Sequence, residues 1–216
     1  MSLAKLEMVN IKNALDALLI KYAAGRFNVI TARGQSQHAN SVEVMRQVST
    51  YYSGGSFPLS ESSVTGPYSH NGTIKIDLLV AAASPVDLSA LNNPASTAAQ
   101  LSAALMASAS AGARADELFD DLVAVVWNII MNPANMELGL DYDPNRWIST
   151  IQKNDPAPRG SLVLLSGTIT MTATALEYPE SEVGTAGNAI DLTVELTPDI
   201  VNHGLDTAEQ GVKEGT

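Results

Sequence analysis

Cysteine is absent from this chain of 216 residues, which excludes a disulfide scaffold, thiol catalysis and any zinc site built on thiolates. Aromatic residues are scarce at 5%, and charged residues make up only 16% of the chain, where an average domain carries roughly 25%. Cations are the scarcer sign: 12 Lys and Arg stand against 23 Asp and Glu, a net charge of -11. Phosphate backbones and anionic lipid surfaces both need clustered cations, so sequence-specific nucleic-acid binding and membrane adhesion are disfavoured. No run reaches the roughly 18 apolar residues of a membrane span, and the most apolar stretch, 118–131, is interrupted by Asp120, Asp121 and Asn128. A basic stretch leading into an apolar core, the mark of a secretory signal, is also missing at the amino terminus. These absences predict a soluble intracellular protein, long enough to bury a sizeable core.

What is present reads as alternating helices and strands. Residues 3–24 carry Leu6, Val9, Ile11, Leu15, Leu18, Leu19 and Tyr22 at three- and four-residue steps with Gly25 just beyond, an amphipathic helix with a glycine stop. Residues 27–31 read as a short strand. Residues 41–52 read as a second strand, with a helix over 42–48 as the competing reading. Gly54-Gly55, Pro58, Gly66-Pro67 and Asn71-Gly72 predict an extended loop or protruding hairpin over 53–72. Residues 73–82 predict a strand that enters the interior and is ended by Pro85. The Ala/Ser-rich tract 84–112 is open to two readings, a linker or a helix carrying Leu101, Leu105 and Met106. Residues 114–131 predict a helix with Leu118, Phe119, Leu122, Val125, Val126, Ile129 and Ile130 as its apolar stripe and Asp116, Glu117, Asp120 and Asp121 toward its positive end. Strands are expected over 146–152, 161–176 and 189–196, and a mobile tail over 198–216. The predicted fold is α+β, a mixed and mainly antiparallel sheet with two or three helices packed on one face, forming a single domain over 1–197.

Catalytic chemistry finds no starting point in these residues. His38, His70 and His203 fall in predicted polar loops without metal-ligand spacing and read as surface histidines. Gly54-Gly55 and Gly184-Thr185-Ala186-Gly187 lack the Gly-Lys-Ser/Thr ending of a phosphate loop and read as turns. Asp120-Asp121 and Asp141-Tyr142-Asp143 have the oxygens to meet a divalent cation, but read as solvated helix face and loop. No Gly-x-Ser-x-Gly elbow is present. The expectation is a protein that is not an enzyme and has no catalytic residue, metal or cofactor. Charge is the more informative signal: residues 1–60 hold six basic and three acidic groups, 61–154 hold four and ten, and 155–216 hold two and ten. One reading is an ordinary acidic surface. The other is an assembly subunit whose basic amino-terminal part meets an acidic neighbour head to tail, the kind of contact that closes into a ring.

The order of elements, together with 73–80, 116–131 and the closing run from Gly160-Ser161-Leu162-Val163-Leu164 to Thr174-Ala175-Leu176-Glu177-Tyr178, resembles the tail terminators of long-tailed bacteriophages. That family is also called the tail completion proteins and is typified by minor tail protein U of lambda-like phages. The resemblance spans roughly residues 1–178 and rests on pattern and order. It implies a phage or prophage structural protein, a homo-oligomer that closes as a hexameric ring. Such a ring caps the tail tube, ends its polymerisation and presents a new face to the head connector, so its partners are itself, the tail tube protein and the connector. It would work in the host cytoplasm during assembly and then in the virion tail. The expanded loop at 53–72, the insertion at 84–112 and the extra residues after Pro179 depart from the compact members. A phage head-to-tail neck or completion protein is the alternative within the same class. A non-catalytic small-molecule or peptide binding module, with a pocket between sheet and helices, is the alternative from another class.

Candidate functional residues follow from this reading. Glu177, Glu180 and Glu182 are candidates for acids lining a ring lumen, where repulsion would keep DNA phosphates moving; the competing reading makes them decoration of an exposed turn around Pro179. Trp147 and Arg146 are candidate interface residues. Trp127, set among Val125, Val126 and Ile129, is expected in the core.

Overall fold

In the first helix, α1 (Glu7–Ala23), Met8, Ile11, Leu15, Leu18 and Leu19 are buried on one stripe, the face that helical three- and four-residue spacing dictates. The computed structural model describes residues 6–31, 44–58 and 68–177, all within the first of the chain's two units, Met1–Pro179. The helix stops where Ala24 and Gly25 turn left-handed, at φ 39° and 79°, as the glycine signal predicts. Its amino terminus has no side-chain cap of its own.

Six strands follow in one sheet: β1 (Asn28–Ile30), β2 (Val44–Ser56), β3 (Tyr68–Ala83), β4 (Trp147–Lys153), β5 (Ala157–Arg159) and β6 (Leu162–Glu177). Their order is β1-β2-β3-β6-β4, with β5 also on β6. Only β1 pairs parallel to its neighbour. The centre is the β3–β6 pair, two strands of 16 residues matched along their whole length. The α+β expectation therefore holds. Residues 41–52 resolve to the strand reading, since Val48 pairs with Leu78 and Thr50 with Ile76 inside the sheet. Of the two readings of 53–72 the hairpin holds over the described residues: β2 continues through a bulge at Tyr52/Gly54 as far as Ser56 and pairs antiparallel with β3, which begins at Tyr68. Gly54 takes φ 127° there, a backbone only glycine adopts readily.

The second helix, α2 (Ala98–Met131), joins two segments that the sequence separated. It runs unbroken for 34 residues, about 50 Å at 1.5 Å per residue. A capping box starts it, with the Thr97 side chain on Gln100 N–H and the Gln100 side chain on Thr97 N–H. Its first half buries Ala104, Ala107, Ala111 and Ala115, and its second half buries Phe119, Leu122, Val126, Ile129 and Ile130. The linker reading of 84–112 is thus replaced by a short 3-10 turn, Leu88–Asn92, and the first half of this helix. Asn132-Pro133 ends it, as expected.

Strand alternation separates the two faces of the sheet. His70, Gly72, Ile74, Ile76, Leu78 and Val80 of β3 are buried on one face, and so are the odd residues of β6 from Val163 to Glu177. Both helices pack on that face: Met8 of α1 covers Gly72, and Phe119 of α2 covers Gly167 so closely that a Cβ at either glycine would overlap the neighbour. The opposite face carries Asp77, Ser166, Thr168, Thr170, Thr172 and Thr174, with Thr168 bonded to Asp77 at 2.8 Å and Thr174 to Asn71 at 2.9 Å. The expected strand at 189–196 and tail at 198–216 lie outside the described residues.

Candidate functional site

Glu177, the last residue of β6, is where the helix, the sheet and the β2–β3 hairpin meet. Its Oε2 accepts the Glu7 N–H at 2.6 Å and its Oε1 accepts the Met8 N–H at 3.2 Å, so a carboxylate from the far end of the chain caps the otherwise uncapped α1. The positive end of the helix dipole favours an anion at this point. Nδ1 of His70 lies 2.7 Å from the same Oε1, and Nε2 of His70 lies 2.9 Å from the Tyr52 hydroxyl. With Nδ1 donating to Glu177, the Nε2 of a neutral ring accepts from Tyr52, and every polar atom in the chain of contacts is satisfied. The Phe57 ring stacks on His70 at 4.3 Å between centroids. Glu7 in turn accepts from the Tyr142 hydroxyl at 2.5 Å.

This arrangement corrects two expectations. Glu177 is 8% exposed and His70 is 0% exposed, so neither is the surface group that the sequence reading expects. The Glu177 carboxylate faces His70 and α1 instead of presenting a charge to solvent or to a lumen. Glu180 and Glu182, like His38 and His203, lie outside the described residues. Burial raises the Glu177 pKa, but the hydrogen bonds from His70, Glu7 N–H and Met8 N–H, with the attraction of His70, outweigh it and hold the carboxyl below its ordinary range. Burial, followed by the Glu177 charge, raises Tyr52. Burial and the Glu7 hydrogen bond raise Tyr142. The imidazole in this Glu–His–Tyr chain is sealed from solvent, and the arrangement acts as a clasp between elements.

Arg146 is likewise an internal clamp. Its side chain is 5% exposed, and its guanidinium donates to the carbonyls of Ile130 at 2.6 Å, Asn135 at 2.7 Å and Met136, acceptors at and beyond the end of α2. Burial lowers its pKa, against the opposing pull of Asp143. The interface reading of Arg146 is therefore corrected. Trp147, the next residue, is 44% exposed and opens β4.

β4 is the outer strand of the sheet, and among the described residues nothing pairs with its outward side. Asn154 N–H bonds Ser166 carbonyl, and the register Thr150↔Thr170, Gln152↔Thr168 continues the same alternation. Thr150 and Gln152 therefore turn their backbone groups to β6, while Ile151 and Lys153 turn theirs outward. The strand lies antiparallel to α2: Arg146, just before β4, reaches Ile130, and Lys153 at its end bonds Asp116 at 3.0 Å and Asp120 at 2.9 Å. Along this flank Trp127 is 44% and Ile151 is 47% exposed. Trp127 is not in the core as expected, because it sits one residue, and so about 100° of helix, past the buried Val126. Sequence reasoning missed Ile151 and the free edge; the signal available was the charged and polar pattern of 149–155, common in edge strands.

The open face of the sheet holds a groove of about 380 Å³ lined by Gln47, Asp77, Asp155, Arg159 and Thr168 among others. Asp120 and Asp121 are solvated on α2, ion-paired with Lys153 and Arg46. Among the described residues no three acidic or imidazole groups converge as a metal site, and no helix is long and apolar enough to cross a membrane. No protein-family model matches the chain, and no curated protein matches it in sequence.

Proposed function

We propose that this chain is a structural tail assembly protein of a phage or prophage, of the terminator kind: a ring-forming subunit that caps the tail tube, stops its growth and offers a face to the head connector. The observation that carries this reading is the outer strand β4, seven residues long, whose outward side has no partner among the described residues and which is flanked by half-exposed Trp127, Trp147 and Ile151. An edge of this kind recruits another chain unless it is blunted, and exposed tryptophans beside it are the residues that interfaces use as anchors. Among the described residues the buried titratable cluster, His70 with Glu177, holds α1 to the sheet, which favours assembly over catalysis. Sedimentation velocity over a concentration series, at low and moderate salt and with and without divalent cation, tests the reading. A discrete species of ring size supports it, and a strict monomer under every condition sinks it. The groove supports the second reading, a non-catalytic binding module for a small molecule or peptide, although it lies on the open face of the sheet and not between sheet and helices as that reading expects; that module is the outcome a strict monomer would indicate.

A further inference from the structure

We infer that the two outer strands of the sheet are complementary halves of one interface, so that β4 of one copy takes β1 of a second copy as its next strand. This rests on the assembly reading and specifies the surface that it uses. The sheet order places β1 at one end and β4 at the other. From the strand pairings, β1 runs with β2 and β6, and β4 runs with β3. A second copy brought beside β4 with its helices on the same face therefore offers β1 antiparallel to β4. Antiparallel strands need no crossover to pair, and the outward backbone groups of Ile151 and Lys153 are the donors and acceptors available to them. Every copy added in this way keeps its helices on one face and its threonine-rich face on the other, and a constant rotation between copies closes the series.

Charge decides the pairing of unlike edges over like ones. The flank of β4 is acidic: Asp116 and Asp120 are 47% and 70% exposed at the side chain, with Lys153 set between them. The flank of β1 is basic: Arg26 is exposed beside it and forms no ion pair among the described residues. Each side also carries an apolar anchor, Ile20 at 54% exposure near β1 against Ile151 and Trp127 near β4. Two β4 edges brought together by a two-fold axis would set the same acidic flanks against each other, which like-charge repulsion opposes.

The cysteine-free sequence allows a direct test by disulfide trapping in the full chain. Asn28 of β1 and Thr150 and Gln152 of β4 all project from the threonine-rich face, and all three are exposed. Asn28→Cys combined with Thr150→Cys or with Gln152→Cys is expected to give a ladder of covalent multimers on mild oxidation, because each chain carries both halves of the contact. Ile151→Pro, which removes an outward N–H and leaves the bonds to β6 in place, is expected to raise the concentration needed for assembly by about tenfold while leaving the circular dichroism spectrum unchanged. Rings in sedimentation with no ladder from either cysteine pair would overturn the edge pairing and leave the assembly reading standing. Covalent dimers from Gln152→Cys or Thr150→Cys alone would overturn it in favour of a two-fold contact between β4 edges. A monomer in sedimentation with no ladder would overturn both. If Ile151→Pro fails to fold, the cysteine pairs decide the matter alone.

Discussion

Replacing Glu177 by Gln removes one oxygen and one negative charge from a point where three donors converge. Glu7 N–H occupies Oε2, and Met8 N–H and His70 Nδ1 share Oε1. A glutamine amide satisfies at most one of these two oxygen positions. With its oxygen at Oε1, its NH2 group is forced against the Glu7 N–H, donor against donor, in a pocket where the glutamate is 8% exposed. A buried hydrogen bond to a charged group contributes about 1.5 to 3 kcal/mol, and one of them is lost outright while the other two become neutral. The lost anion at the helix amino terminus adds about 0.5 to 1 kcal/mol. The expected total is about 3 kcal/mol, or about 6 to 12 °C in Tm for a domain of this size. Urea and thermal unfolding followed by circular dichroism measure it. The difference from wild type also has a pH signature. Because the folded carboxyl is held below its ordinary range, its contribution is complete above the unfolded value of about 4.3 and is lost as pH falls through the lower folded value. Wild type and Glu177→Gln should therefore converge toward the acid end of the stability curve. A loss under about 0.5 kcal/mol at neutral pH, a tenth or less of ordinary domain stability, or a difference that does not shrink on acidification, would refute the capping role assigned to Glu177.

Three further outcomes follow from the same packing. Arg146→Ala should destabilise by about 2 to 4 kcal/mol, because the carbonyls of Ile130, Asn135 and Met136 lose their shared donor; Arg146→Lys should recover little of it, since one ammonium cannot span three acceptors, and denaturant titration measures both. Gly167→Ala should cost about 2 to 3 kcal/mol, as its Cβ would overlap the Phe119 ring and the Gln152 carbonyl; adding Phe119→Leu should not restore stability, because the carbonyl is backbone, and melting curves of the two variants against wild type check this. Gly112→Ala, by contrast, meets nothing within 4 Å in the middle of α2 and should stabilise by about 0.5 to 1 kcal/mol; a loss of stability in the same assay would mean that α2 is not continuous through residue 112.

Periodicity in the chain was sufficient for the α+β class, for α1 with its glycine stop, for the long β6 and for the second half of α2, because side chains three and four apart or two apart share a face whatever the rest of the molecule does. Asn132-Pro133 marked the end of α2 for an equally local reason. Composition determined the absence of thiol chemistry and the polarity of charge along the chain. The tertiary structure decided what depends on partners remote in sequence. His70 reads as part of a polar loop and Glu177 as part of an exposed turn around Pro179, and only the β3–β6 pairing and the position of α1 turn them inward together. Arg146 looked available until the end of α2 came to rest beside it. Trp127 differs from buried Val126 by one residue, a rotation that composition around it does not reveal. The Ala/Ser tract was ambiguous because alanines drive little burial on their own; packing on the turn at Leu88–Asn92 makes it the first half of a 34-residue helix. Which strand lies at the edge of a sheet is likewise set by the order of strands and not by any one of them, and that order leaves the outward side of β4 without a partner among the described residues.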